Sequence, residues 1–169
     1  MNPAHRPVAG VLLVAVSLAA GCMPASWRQA RLMEGKYTIG APGGGWTSVP
    51  PGGADHAWVN KSAGASIYTD SNCGTRYRET RVEDLATELV AGFQGVTQDL
   101  EVRQAIGPRE GIIRTHTGRL DGVPVRIGVG VVNQDLCTYD FILIAPIGQL
   151  DALWPAYQAV LDGFDPVHR

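Results

Sequence analysis

The chain has 169 residues, with 16 acidic and 14 basic side chains and a net charge of −2. That length suits one domain able to bury about 70% of its unfolded surface, so no metal is needed to hold a core together. Without a basic stripe the charge balance excludes the footprint of a nucleic-acid binder, and no like-charge block, heptad or internal repeat appears.

Residues 1–21 read as an export signal: His5 and Arg6, an apolar run from Val8 to Ala20, then Ala19-Ala20-Gly21 before Cys22. A Cys directly after small residues is the bacterial lipobox, in which that Cys is acylated and becomes the mature N-terminus. Leu18 stands four residues before Cys22, where the commonest pattern has Leu three before; Ala19 fills that place. An ordinary secretory cut near Ala20 and a retained helix are the alternatives. The apolar run of about 14 residues is short of the roughly 20 that span a bilayer. Two or more acyl chains, palmitate among them, on Cys22 would anchor the chain stably. By resemblance to sorted lipoproteins, Asp after the Cys retains a protein at the inner membrane. Met23 stands there instead, so the expectation is an outer-membrane protein facing the periplasm.

Residues 22–35 form a tether and the domain occupies 36–166. Tyr37-Thr38-Ile39 is a short strand candidate, followed by a glycine-rich loop ending at Trp46. That loop lacks the Gly-Lys-Ser/Thr and the following helix of a phosphate cradle. Ala57–Asn60 and Ala65–Thr69 pair as a hairpin around Lys61–Gly64, with Cys73 just beyond. Thr80-x-x-Glu83 is a capping box opening a helix whose face carries Val82, Leu85, Ala86, Leu89, Val90 and Phe93. It stops at Gly92 or Gly95.

From Leu100 to Pro146 the chain is β-rich. Strands Val102–Ile106 and Gly111–Leu120 flank Gly107-Pro108, and Asp121-Gly122 is a two-residue hairpin signal leading into Val123–Val132. Cys137–Ala145 is apolar on both faces towards its end, as a central strand covered on both sides would be. The last helix carries Leu150, Leu153, Trp154, Tyr157, Leu161 and Phe164 on one face, with Pro155 expected in its first turn. An antiparallel meander with a helix before and a helix after defines an α+β sandwich.

Chemistry-bearing groups are sparse. No His pair has HExxH or HxH spacing, so no metal is expected; His116 reads as a satisfied sheet-face side chain, and His56 and His168 as isolated. Ser66, Ser71 and Cys73 are the possible nucleophiles, but no G-x-S-x-G elbow is present. Asp140 is expected to pair with Arg126 on the neighbouring strand, and Trp46, Trp58 and Trp154 to belong to the core. With Cys22 assigned to lipid, Cys73 and Cys137 make an even pair in an oxidising compartment, which favours a disulfide. Two separate buried thiols are the alternative. Bridging would close a loop of about 65 residues and remove roughly 4 kcal/mol of unfolded-state entropy in the chain model.

These segments, together with Asp55-His56-Ala57-Trp58, Ser71-Asn72-Cys73, Asp121-Gly122-Val123-Pro124, Cys137-Thr138-Tyr139-Asp140 and Gly163-Phe164, resemble a group of bacterial lipoproteins with a PsbP-like α/β/α sandwich. That fold is shared with the extrinsic photosystem II protein PsbP and a Ran-binding nuclear import factor. The resemblance spans roughly residues 36–166 and implies architecture alone, because none of those proteins' binding residues can be placed here. The resulting expectation is a non-catalytic, cofactor-free envelope protein, attached to the membrane through Cys22, that binds a protein partner or supports the envelope. A carrier of a small ligand or ion, and an unrecognised hydrolase, are the alternatives. A pocket with converging polar groups would favour either alternative, and a large exposed apolar patch the partner-binding reading.

Overall fold

In the computed structural model the described residues are 37–166, apart from 79 and 135. The leader, Cys22, the tether and His168 lie outside them. Nine strands occur among the described residues: β1 (Tyr37–Thr38), β2 (Thr47–Ser48), β3 (His56–Asn60), β4 (Ala65–Cys73), β5 (Gln94–Ile106), β6 (Arg109–Leu120), β7 (Val123–Gln134), β8 (Cys137–Pro146) and β9 (Asp165–Pro166). Helix α1 spans Val82–Glu88 and follows a 3-10 turn at Thr75–Arg78, while helix α2 spans Leu150–Asp162.

Seven strands form one antiparallel sheet in the order β2-β3-β4-β8-β7-β6-β5. The architecture is the expected α+β sandwich, built from two meanders. The segment holding α1 carries the chain from β4 to the far edge at β5, and β5 to β8 then wind back to meet β4. Strand β8 is therefore the middle strand, and eight of its ten residues are buried because helices cover both faces. Cα register sets the faces. Phe141, Leu143 and Ile67 pack beneath Tyr157 of α2, while Ile142, Val129 and Ile127 pack beneath Leu85 and Ala86 of α1. A separate pair, β1 with β9, brings Tyr37 against Tyr139 and Phe164 at ring separations of 5.3 and 5.9 Å.

Local chemistry explains where elements start and stop. Asp121 and Gly122 both take positive φ (51° and 81°), as a tight two-residue hairpin of this twist demands. Gly128 leaves room for α2 to lie close, since a Cβ there would stand 3.0 Å from the Trp154 ring. Strand β5 begins eight residues before the expected start. Its first half is exposed and polar, so period-2 patterning was absent, and two register shifts interrupt its pairing with β6.

Three expectations need correction. The capping box does not form: the N-cap is Arg81, Thr80 Oγ1 donates to the Arg76 carbonyl (2.6 Å), and Glu83 pairs with Arg81 and Arg103. Helix α1 ends at Glu88 rather than near Phe93, and Leu89 and Phe93 reach the sheet half-buried from tighter turns beyond it. With Gln149 as N-cap, Pro155 lies in the second turn of α2. The bond it removes would have gone to the carbonyl of exposed Asp151, which water can satisfy.

Candidate functional site

Cys73 and Cys137 are register partners at the ends of β4 and β8, joined by a disulfide with Cα atoms 4.1 Å apart. The neighbouring pair is hydrogen-bonded, Gly74 N donating to the Leu136 carbonyl (2.7 Å). The cysteines therefore occupy a non-hydrogen-bonded position, where antiparallel strands approach closest, and their separation falls just under the expected 4.4–6.8 Å range. The bond removes Cys73 as a free nucleophile. Ser71 donates its hydroxyl to Asp55 (2.6 Å). The three tryptophans are half-buried around the α2-side core rather than within it, with Trp58 stacked on His56.

Asp140 does not meet Arg126. Its partner position on β7 is Val131, and Arg126 falls on the opposite face of β7, where its Nε lies 3.3 Å from Asp99. On the α1 side Asp140 stands directly across from Asp70 of β4 and is only 7% exposed. Burial pushes its carboxyl up to about 7; the Thr138 hydroxyl (3.2 Å) opposes this, and the charges of Asp70 and Glu88 add to it. Asn72 donates to Asp70 (3.1 Å), and the Tyr68 phenol is raised, chiefly by burial and further by Asp140. The arrangement holds a proton near neutrality. No group of three or more His, Cys, Asp or Glu able to hold a metal occurs among the described residues.

His116 is buried as expected, at 3% exposure, but neither ring nitrogen has a hydrogen-bond partner among the described residues. Burial, then the charge of Arg114, lower its pKa, and Asp99 acts weakly against them. Beside it the buried Arg114 joins Glu101 (2.8 Å), the Glu83 carbonyl (2.8 Å) and Thr87 (2.9 Å), clamping α1 to β6. An Arg in the middle of Gly111–Gly118, a stretch with no other Arg, Lys, Asp or Glu, was the available sequence signal for this clamp.

The third polar arrangement is a cleft. Helix α2 covers β7 and β8, and the sheet is wider than one helix, so the same face of β5 and β6 stays open. The resulting hollow, about 460 Å³, is lined by Asp99, Leu100, Thr115, Arg126, Leu150, Asp151 and Trp154. No spacing in the sequence gathers these residues.

No known protein family and no curated protein matches this sequence. Solved structures do match in fold. The cyanobacterial PsbP of Synechocystis superposes with a TM-score of 0.58 at 9% identity, covering 78% of this chain and 87% of that one. LpqN of Mycobacterium tuberculosis, a protein involved in cell envelope biogenesis, gives 0.54 at 10% identity over 76% and 81%. A Pseudomonas aeruginosa protein of unknown function gives 0.53 at 12% identity over 73% and 83%. The fold is thus the PsbP-like α+β sandwich.

Proposed function

We propose that this chain is a lipid-anchored protein of the bacterial cell envelope that binds a protein partner and carries out no chemistry of its own. The observation that carries the reading is the Cys73–Cys137 bond. A bonded pair suits an oxidising compartment and leaves Cys22, behind its lipobox, as the remaining cysteine. An outer-membrane address facing the periplasm follows from Met23.

A candidate partner surface supports the same reading. Leu120 and Val123 flank the β6–β7 turn, and Ile147 follows β8 at the same end of the sheet; Val123 is 60% and Ile147 52% exposed. Tyr37, where the tether joins the domain, packs near the start of β8, at the opposite end. A tethered domain would therefore hold its apolar turns away from the anchor, available to a partner. The test is photocrosslinking in cells from positions 120, 123 and 147 of the full chain. A discrete adduct from at least one position, lost when the probe moves to exposed Asp162, is expected; adducts from none would overturn the reading.

A further inference from the structure

The open cleft beside α2 has an unbalanced charge. Arg126 at its floor is matched by Asp99, whose Oδ2 lies 3.3 Å from Nε and also accepts from Thr117 Oγ1 (2.9 Å). That leaves Asp151 at the rim, an exposed carboxylate that no hydrogen bond or ion pair reaches among the described residues. Asp151 and Trp154 are three apart on α2, so carboxylate and indole are neighbours on one helix face, with Leu150 four before Trp154. Across the gap Leu100 of β5 is 52% exposed, an apolar side chain with no cover. An unpaired carboxylate next to an indole, with one exposed aliphatic side chain across the gap, suits an organic ammonium ion: ion pairing and cation–π attraction for the head, apolar contact for the stem.

We propose that this cleft binds a primary alkylammonium group on an aliphatic stem, its head between Asp151 and Trp154 and its stem against Leu100. A neutral ligand would leave Asp151 unmatched, and an anion would meet two carboxylates for one guanidinium. The group is supplied either by a free amine or by a lysine side chain of a partner polypeptide. The cleft shares no residue with the apolar turns and its test reads amine binding alone, so it survives or fails independently of the partner reading.

The test uses the full chain in neutral detergent, following the Trp154 indole and Leu100 amide signals by NMR. Probes are n-pentylamine, n-pentanol, hexanoate and Nα-acetyl-lysine-N-methylamide. Saturable shifts are expected with n-pentylamine, at least fivefold weaker binding with pentanol and none with hexanoate. Asp151→Asn, at an exposed position that leaves the fold intact, should weaken n-pentylamine about three- to fivefold. Arg126→Gln, by releasing Asp99, should tighten it. Binding of the lysine amide as tight as that of n-pentylamine assigns the group to a polypeptide; exclusion of the lysine amide alone assigns it to a free amine. Equal binding of pentanol, no saturable shift with n-pentylamine, an unaffected Asp151→Asn, or weaker binding in Arg126→Gln each overturns the proposal.

Discussion

Replacing Asp140 with Asn should stabilise the protein, and increasingly so as pH rises. Asp140 is buried opposite Asp70, and its carboxyl is raised from 3.8 to about 7. Each pH unit of displacement corresponds to 1.36 kcal/mol, so about three units give an upper value of roughly 4 kcal/mol. The sign follows from the direction. A carboxyl raised in the folded state favours folding while both states hold its proton, below about pH 4. That advantage is lost as pH climbs through the folded value near 7. The amide keeps the shape and the Thr138 contact but does not ionise. The stability difference, variant minus wild type, should therefore grow by about 2–4 kcal/mol between pH 4 and pH 8. Urea unfolding of both proteins at half-unit pH intervals, disulfide intact, measures it. A difference constant within about 0.5 kcal/mol across that range would show that Asp140 is ionised and compensated in the fold, and would refute the reasoning.

Other expectations follow from single contacts. Leu85→Ala removes a side chain that α1 buries against the sheet and should cost about 2–4 kcal/mol in chemical denaturation, against about 1–2 for half-buried Leu89→Ala. His116 has a lowered pKa, so its contribution is present above its unfolded value and lost as pH falls; His116→Phe should flatten the acid limb of the stability profile, and an unchanged limb would place the ring in contact with water. Replacing Cys73 and Cys137 together with Ala should lower stability by about 2–4 kcal/mol, and peptide mapping without reductant should recover the bridged pair from exported protein. Cys22→Ser should release the chain from membranes, and mass spectrometry should find wild-type Cys22 acylated at the mature N-terminus.

What the sequence revealed and concealed follows from which forces act locally. The β3–β4 and β6–β7 hairpins, the buried β8 and the α2 face were legible because turn chemistry and hydrophobic period act over a few residues. The disulfide was legible from compartment and parity, without geometry. The first half of β5 was hidden, since an exposed edge strand needs no alternation. The capping box misled because Glu83 is drawn to Arg103, twenty residues away and adjacent only after folding. Arg126 was assigned to the wrong carboxylate for a related reason. Which face of β7 it occupies depends on register with β6 and β8, and a one-residue change in register moves a side chain to the other face. The cleft depends on how much of the sheet one helix covers, a property of assembly alone.

The position of the Cys73–Cys137 bond has a mechanical consequence. Strands β4 and β8 are the seam between the two meanders, and the bridge closes that seam at the end of the sheet where Tyr37 enters. A pull on the residues before Tyr37 acts first on the two-residue β1–β9 pair, held by few hydrogen bonds, and next on the aromatic contacts around Tyr139. Beyond them it meets a covalent stop. Strands β4 and β8 cannot slide past one another from that end while the bond lasts, so a domain tugged by its tether would shed its small clasp and keep its sheet whole.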